Sequence, residues 1–281
     1  MGASNTAGID FTSVNGIRLE ILQKGEGPTV LFLHGGLWLG DERTFIDELA
    51  AHARVIAPSH PGFGASDPPG SLVSPDDLAY FYLDLIDRFD LDDVVLAGAN
   101  FGGWVAAEMA TKNCGKLAGL VLIDALGIRP GSPTDPVIAD IFAIRDSELV
   151  KLAYCNPPPD ADNLRAITDD DELRRRLRAR DGLAYYGWQP YMHNRQLQGR
   201  LHRIGVPTLV LWGDSDGVVG PGYGRAYADA IPGARFETVA SAGHLAHVEQ
   251  AVAVAARIGA FAAETVSRHG AMQAGRPAVT A

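Results

Sequence analysis

The sequence predicts an α/β fold, a mostly parallel sheet covered by helices on both faces, with a helical cap inserted between two sheet strands. Three observations lead there. Short continuous apolar runs recur along the chain, the mark of strands buried on both faces. Amphipathic helical patterns separate those runs. One long stretch then carries helical patterns and proline-rich turns but no convincing buried strand.

The elements follow in order. "FTSVNGIRLEIL", Phe11 to Leu22, reads as a hairpin turning at Asn15-Gly16, so an antiparallel edge precedes the parallel strands. "TVLFLHG", "RVIAPSHPG", "DVVLAGA", "LAGLVLID" and "PTLVLWGD" are the buried strands, and "ARFETVA" is strand-like. The clearest helix starts at Ser74-Pro75-Asp76-Asp77, where serine caps, proline opens the first turn, and acids suit the dipole. Leu78, Tyr82, Leu85, Ile86 and Phe89 then share one face. Between Gly127 and Gly205 the pattern changes to "PGSPTDP", "NPPPD" and "DDDELRRRLRAR". The expected organisation is a core over residues 9–127 and 206–267, a helical cap over 128–205, and loose tails over 1–8 and 268–281.

Composition narrows the function. A net charge of −10 gives no electrostatic reason to bind nucleic acid or an anionic membrane. No apolar run has spanning length, and "MGASNTAGID" lacks the features of a secretory signal. Cys114 and Cys155 are far apart without metal-like spacing, which suits a reducing, cytoplasmic setting. Neither a nucleotide-binding glycine motif after a strand nor a histidine pair at ligand spacing occurs, so no metal or other cofactor is expected. The expected partner is a small-molecule substrate; a homo-oligomer is compatible with the chain.

Parallel sheets bind ligands at the carboxyl ends of their strands, so the residues directly after each apolar run matter most. These are His34 to Trp38 in "HGGLW", His60 to Asp67 in "HPGFGASD", Asn100 in "GANFG", Asp124, Asp214 and Asp216 in "GDSDG", and His244 in "GHLAHVEQ".

Taken together they resemble the α/β-hydrolase family over nearly the whole chain. Its nucleophile elbow reads G-x-S-x-G, and this chain reads Gly98-Ala99-Asn100-Phe101-Gly102. The acid and the histidine follow in the family's order. The resemblance implies His244 as general base and Asp216 as the acid that orients it, with Asp214 and Asp124 as rivals. It also implies an oxyanion hole from the backbone N–H groups of Gly36 and Phe101. Trp38, Trp188 and Tyr191 are the candidate substrate-binding side chains; Tyr185 and Tyr186 are further aromatics of the cap. His34, His60 and His193 are expected to serve structure. "NFGGWVAAEMA" is most similar to capped esterases and ring-cleavage-product hydrolases, which implies hydrolysis of an ester or of a C–C bond beside a carbonyl.

Asn100 is the departure. Its amide lone pair is delocalised and it offers no hydroxyl proton to a base. Three explanations follow from the residues. A serine has been replaced or lost, leaving hydrolysis impaired. An aspartate has become its near-isosteric amide, as in a haloalkane dehalogenase or epoxide hydrolase, although Phe101 stands where those branches place tryptophan. Or the His244–Asp216 base performs lyase, decarboxylase, isomerase or cyclase chemistry without a covalent intermediate. A fourth role, ligand binding without turnover, uses the same capped pocket.

Overall fold

The computed structural model describes residues 9–36, 41–132, 135–159, 161 and 167–274. Eight strands among them form one sheet: β1 (Ile9–Val14), β2 (Ile17–Lys24), β3 (Thr29–Leu33), β4 (Arg54–Pro58), β5 (Val94–Ala99), β6 (Leu117–Ile123), β7 (Thr208–Gly213) and β8 (Arg235–Val239). Their spatial order is β1-β2-β4-β3-β5-β6-β7-β8. β1–β2 and β2–β4 are antiparallel, and the remaining pairs are parallel. The leading hairpin turns at Asn15 and Gly16, both with positive φ (49° and 81°), as a two-residue type I′ turn requires.

Alternation along the strands feeds two cores. Val30, Phe32, Val95, Val121 and Leu211 point to the face covered by α1 (Arg43–Leu49) and α9 (Ala251–Ala274). Leu31, Leu33, Leu96, Leu120 and Val210 point to the face covered by α2 (Pro75–Arg88), α3 (Asn100–Lys112) and α7 (Pro221–Ala230). Each such side chain contributes about 1.5–3 kcal/mol when fully buried, which is why the strand runs are apolar throughout. The α2 entry is as its sequence implies: Ser74 Oγ accepts the Asp77 N–H at 3.2 Å, and Asp77 reaches back to the Val73 N–H at 3.0 Å.

Between β6 and β7 the regular elements are α4 (Asp146–Ala153), α5 (Asp170–Gly187), α6 (Leu197–Arg200) and a 3-10 turn over Leu201–Arg203. Asp169 caps α5 by accepting the N–H groups of Asp171 and Glu172. One stripe of α5 docks on the loop after β4. Arg178 donates to the carbonyls of Gly64 and Ser66, Tyr186 donates to that of Pro61, and Gly182 sits where a Cβ would be 2.5 Å from the Phe63 ring. No helix among the described residues is long and apolar enough to cross a membrane.

One boundary differs from expectation. α9 runs to Ala274, past the tail start placed at residue 268. The run after Arg268 has no periodic apolar face, but alanine and methionine are strong helix formers, and Gly270 alone does not end a helix already nucleated upstream.

Candidate active site

The candidate site is assembled from five loops at the carboxyl end of the sheet. β5 ends at Ala99, and α3 begins at once with Asn100, whose φ is 46°. That left-handed conformation costs a side chain about 1 kcal/mol or more and is tolerated best by asparagine and aspartate after glycine. The flanking glycines make the turn sterically feasible. A Cβ on Gly98 would lie 2.4 Å from the Gly102 carbonyl oxygen, and one on Gly102 would lie 2.1 Å from that of Leu33.

β7 leads into the acid loop and β8 into the histidine loop. A Cβ on Gly213 would lie 2.0 Å from the Gly243 carbonyl oxygen, so glycine lets the two loops touch. His244 Nδ1 and Asp216 Oδ2 are 2.9 Å apart. The other Asp216 oxygen accepts the N–H groups of Val218 and Val219 at 2.8 and 3.0 Å. A carboxylate accepts only, so the ring donates from Nδ1, and in a neutral imidazole the lone pair then lies on Nε2. Asp214 lies exposed and accepts the Ser215 hydroxyl. Asp124 is fully buried and makes no bond to the ring. Its oxygens accept the N–H groups of Gly213 at 2.7 Å and Ala246 at 3.2 Å. Burial, and then the negative charge of Asp216, push its carboxyl well above the usual range.

Asn100 is 3% exposed. Its Nδ2 donates to the carbonyl of His244 at 2.7 Å, with the Asp124 carbonyl 3.5 Å away. Both neighbours at that end are acceptors, which identifies it as the nitrogen. Oδ1 faces the backbone of Gly35, where a Cβ would lie 2.4 Å away, and has no hydrogen-bond partner among the described residues. Three side chains from three elements therefore hold the histidine loop. Glu249 accepts the Gly243 N–H, Asn100 donates to the His244 carbonyl, and Asp124 accepts the Ala246 N–H.

Gly36 follows β3, and the Gly35 N–H before it donates to the buried Glu42 at 3.1 Å. His247 Nε2 lies 3.2 Å from the same Glu42 oxygen but out of hydrogen-bond alignment. Phe101 is in the first turn of α3, so its N–H has no carbonyl of its own helix to meet. Gly36, Asn100, Phe101 and His244 all line one cavity of about 260 Å³. That is at or just below the small end for ligand sites, about 300–1,000 Å³. Its wall is mostly aliphatic, including Ile138, Leu149, Leu183 and Val218. Two ion pairs add polarity, Arg176–Asp41 at 2.7 Å and Arg180–Asp146 at 2.9 Å.

Residues 30–257 match the family described as "Alpha/beta hydrolase family". The chain is an α/β-hydrolase. It is 29% identical over 257 residues, 87% of its length, to the dihydrolipoyllysine-residue acetyltransferase component of an acetoin cleaving system from Cupriavidus necator, and spans 66% of that protein. It is 26% identical to 2-hydroxymuconate semialdehyde hydrolase of a Pseudomonas species, covering 89% of this chain and 92% of the relative. Among solved structures it is similar to a thermophilic esterase from Thermogutta terrifontis, with a TM-score of 0.67, 27% identity, and 92% and 97% of the two chains covered.

The other residues singled out in the sequence of this hydrolase divide sharply. Trp38 lies outside the described residues. Trp188 is 61% exposed and packs on Phe142, away from the cavity lining. Tyr191 donates to the Ala139 carbonyl at 2.6 Å and accepts the Ile141 N–H, again outside the lining. Both pack on Phe142, which lines the cavity, and Tyr191 also holds the backbone of Ile141, another lining residue. Tyr185 is 49% exposed, Tyr186 is buried against the β4 loop, and His193 Nδ1 contacts the Tyr191 carbonyl. His60 Nε2 donates to the His34 carbonyl, and the His60 N–H donates to His34 Nε2, so the pair stitches the loops after β3 and β4. Arg176, Arg180 and Leu183 were not singled out, although their spacing of four and three residues is a helical stripe. Leu183 packs over Gly36, where a Cβ would be 2.7 Å from its Cδ2.

Proposed function

We propose that this α/β-hydrolase accepts a small, largely apolar substrate carrying an ester, or a C–C bond next to a carbonyl, and that Asn100 impairs the hydrolytic step in the chain as written. The observation that carries the reading is His244, paired with Asp216 at 2.9 Å and lining the same cavity as Asn100. The relatives named for semialdehyde hydrolysis and as an esterase support the substrate class. In this reading the segment between β6 and β7 is the cap. Gly36 and Phe101 supply the oxyanion hole, favoured further by the N-terminal dipole of α3.

The impairment follows from chemistry. Losing a triad nucleophile costs on the order of 10⁶-fold in turnover, and binding plus the oxyanion hole leaves about 10³–10⁴-fold over water. The test is hydrolysis of short p-nitrophenyl esters by the purified chain and by Asn100→Ser. The parent hydrolyses barely above background, and the serine variant gains orders of magnitude. A serine variant as inactive as its parent over a broad ester panel overturns the reading.

A second reading has its own observation. The Asn100 amide nitrogen is engaged with backbone carbonyls and not with the His244 ring, and in this reading Nε2 takes a proton from a bound substrate. The dyad then acts as a base on a carbon acid, and the oxyanion donors stabilise the enolate without a covalent intermediate. Here His244→Ala abolishes the native reaction while Asn100→Ala only weakens it.

A further inference from the structure

One carboxylate binds the histidine loop to the cavity wall. Glu249, half-buried at the end of α8 (Ala246–Glu249), accepts three backbone N–H groups. Gly243 and Cys155 donate to Oε2 at 2.7 and 3.1 Å, and Asn156 donates to Oε1 at 2.8 Å. The first donor precedes His244; the other two follow α4. The packing between these segments leaves no room for a side chain at residue 243. A Cβ there would lie 2.4 Å from the Ala153 carbonyl oxygen and 2.9 Å from Tyr154 Cα. Ala153 and Tyr154 line the cavity, as do Leu149 and Val150 one turn earlier. A continuous set of contacts thus runs from the cavity wall to the residue beside the base. Hydrogen bonds to an ionised carboxylate are roughly twice as strong as neutral ones. Donors that share one acceptor shift together when either segment moves.

We infer that Glu249 is a positioning residue: it ties the height of His244 over the cavity to the seating of α4. The inference rests on His244 being the base, as proposed above. Asp124 and Asn100 grip the same loop from the ends of sheet strands. Of these three side chains, Glu249 is the one that joins it to the inserted segment. Its loss therefore misplaces the imidazole relative to substrate instead of merely loosening the sheet.

Two measurements test this. The first needs no substrate: native-state hydrogen exchange at the amides of Gly243, Cys155 and Asn156, in the unmodified chain and then in Glu249→Gln. A shared clamp protects all three amides in the unmodified chain, and their protection falls together in Glu249→Gln by about 10- to 100-fold, the worth of a hydrogen bond to a charged group. Protection of Gly243 with free exchange at Cys155 and Asn156 overturns the inference, and this outcome is readable even if the variant does not fold. The second compares Glu249→Gln with its parent in the Asn100→Ser background, using p-nitrophenyl butyrate. The expected result is a fall in kcat of about 10- to 100-fold at nearly constant KM, the scale of a small misplacement of a reacting group. An unchanged kcat, or a loss that matches the unfolded fraction, overturns it. An inactive Asn100→Ser parent overturns the hydrolase reading instead. The His244 ring nitrogen shifts of the unmodified chain and Glu249→Gln then supply the second measurement, and unmoved shifts overturn the inference.

Discussion

Asn100 Nδ2 donates to the carbonyl oxygen of His244 at 2.7 Å, so the side chain at the elbow grips the backbone of the base, not its ring. The residue that lacks a nucleophile's chemistry makes a bond that only a donor can make. The two acceptors around it, the carbonyls of His244 and Asp124, set what else can stand there.

Asn100→Asp is expected to be the costliest polar substitution at this position. It keeps the shape but turns a carboxylate oxygen toward two carbonyl oxygens in a site 3% exposed. An unsatisfied buried group costs about 1–3 kcal/mol, and more when charged. Asn100→Ser loses the bond without the repulsion and costs about 1 kcal/mol. Denaturant unfolding at pH 7 checks the order; an aspartate variant as stable as its parent contradicts it. Assay of the same aspartate variant on haloalkanes and epoxides tests the aspartate ancestry directly.

Asp216→Asn and Asp124→Asn separate orientation of the base from support of the loops. Of the two, only Asp216 contacts the imidazole, and an amide there no longer selects the Nδ1-protonated tautomer. In the Asn100→Ser background its replacement lowers kcat by about 10⁴-fold, the scale of the equivalent change in a serine protease triad. Asp124→Asn acts mainly on stability, because its partners are the backbone groups of Gly213 and Ala246. Equal losses of kcat in the two variants, with equal folded fractions, contradict this division.

His60 makes the fold acid-sensitive. Its Nε2 donates to the His34 carbonyl, and its Nδ1 receives the Tyr82 hydroxyl, so the neutral ring uses both nitrogens. Burial, followed by the adjacent His34, holds its pKa well below the ordinary value. An unfolded imidazole takes a proton near pH 6.5, and the folded one does not. The contribution is therefore fully present above about pH 6.5 and is lost as pH falls toward the folded pKa, at up to about 1.4 kcal/mol per unit. Unfolding curves at pH 7.5, 6.5 and 5.5 give the slope, and ring resonances give the protonation state. His60 signals that titrate with a midpoint near 6.5 contradict the assignment.

The order of elements was legible in the sequence because its signals are local. Apolar runs mark strands buried on two faces, Asn15-Gly16 marks a hairpin, and Ser74-Pro75 marks a helix start. The glycines around Asn100 marked a strained turn, since their spacing reflects backbone approach within a few residues. Those patterns determined the fold and the loops on which a site could lie.

Tertiary structure alone decided which groups meet. Asp124 and Asp216 both follow apolar strands, and only their side-chain directions send one to His244 and the other to backbone N–H groups. The same holds for Asn100 against the His244 carbonyl, 144 residues apart, and for Glu249 joining residues 155 and 156 to residue 243. Aromatic character suggested Trp188 and Tyr191 as pocket residues, but both lie past the end of α5 and outside the cavity lining, to which the helix itself presents Arg176, Arg180 and Leu183. Periodicity specifies that a helix has faces; which face meets the cavity is set by docking of Arg178, Gly182 and Tyr186 on a distant loop.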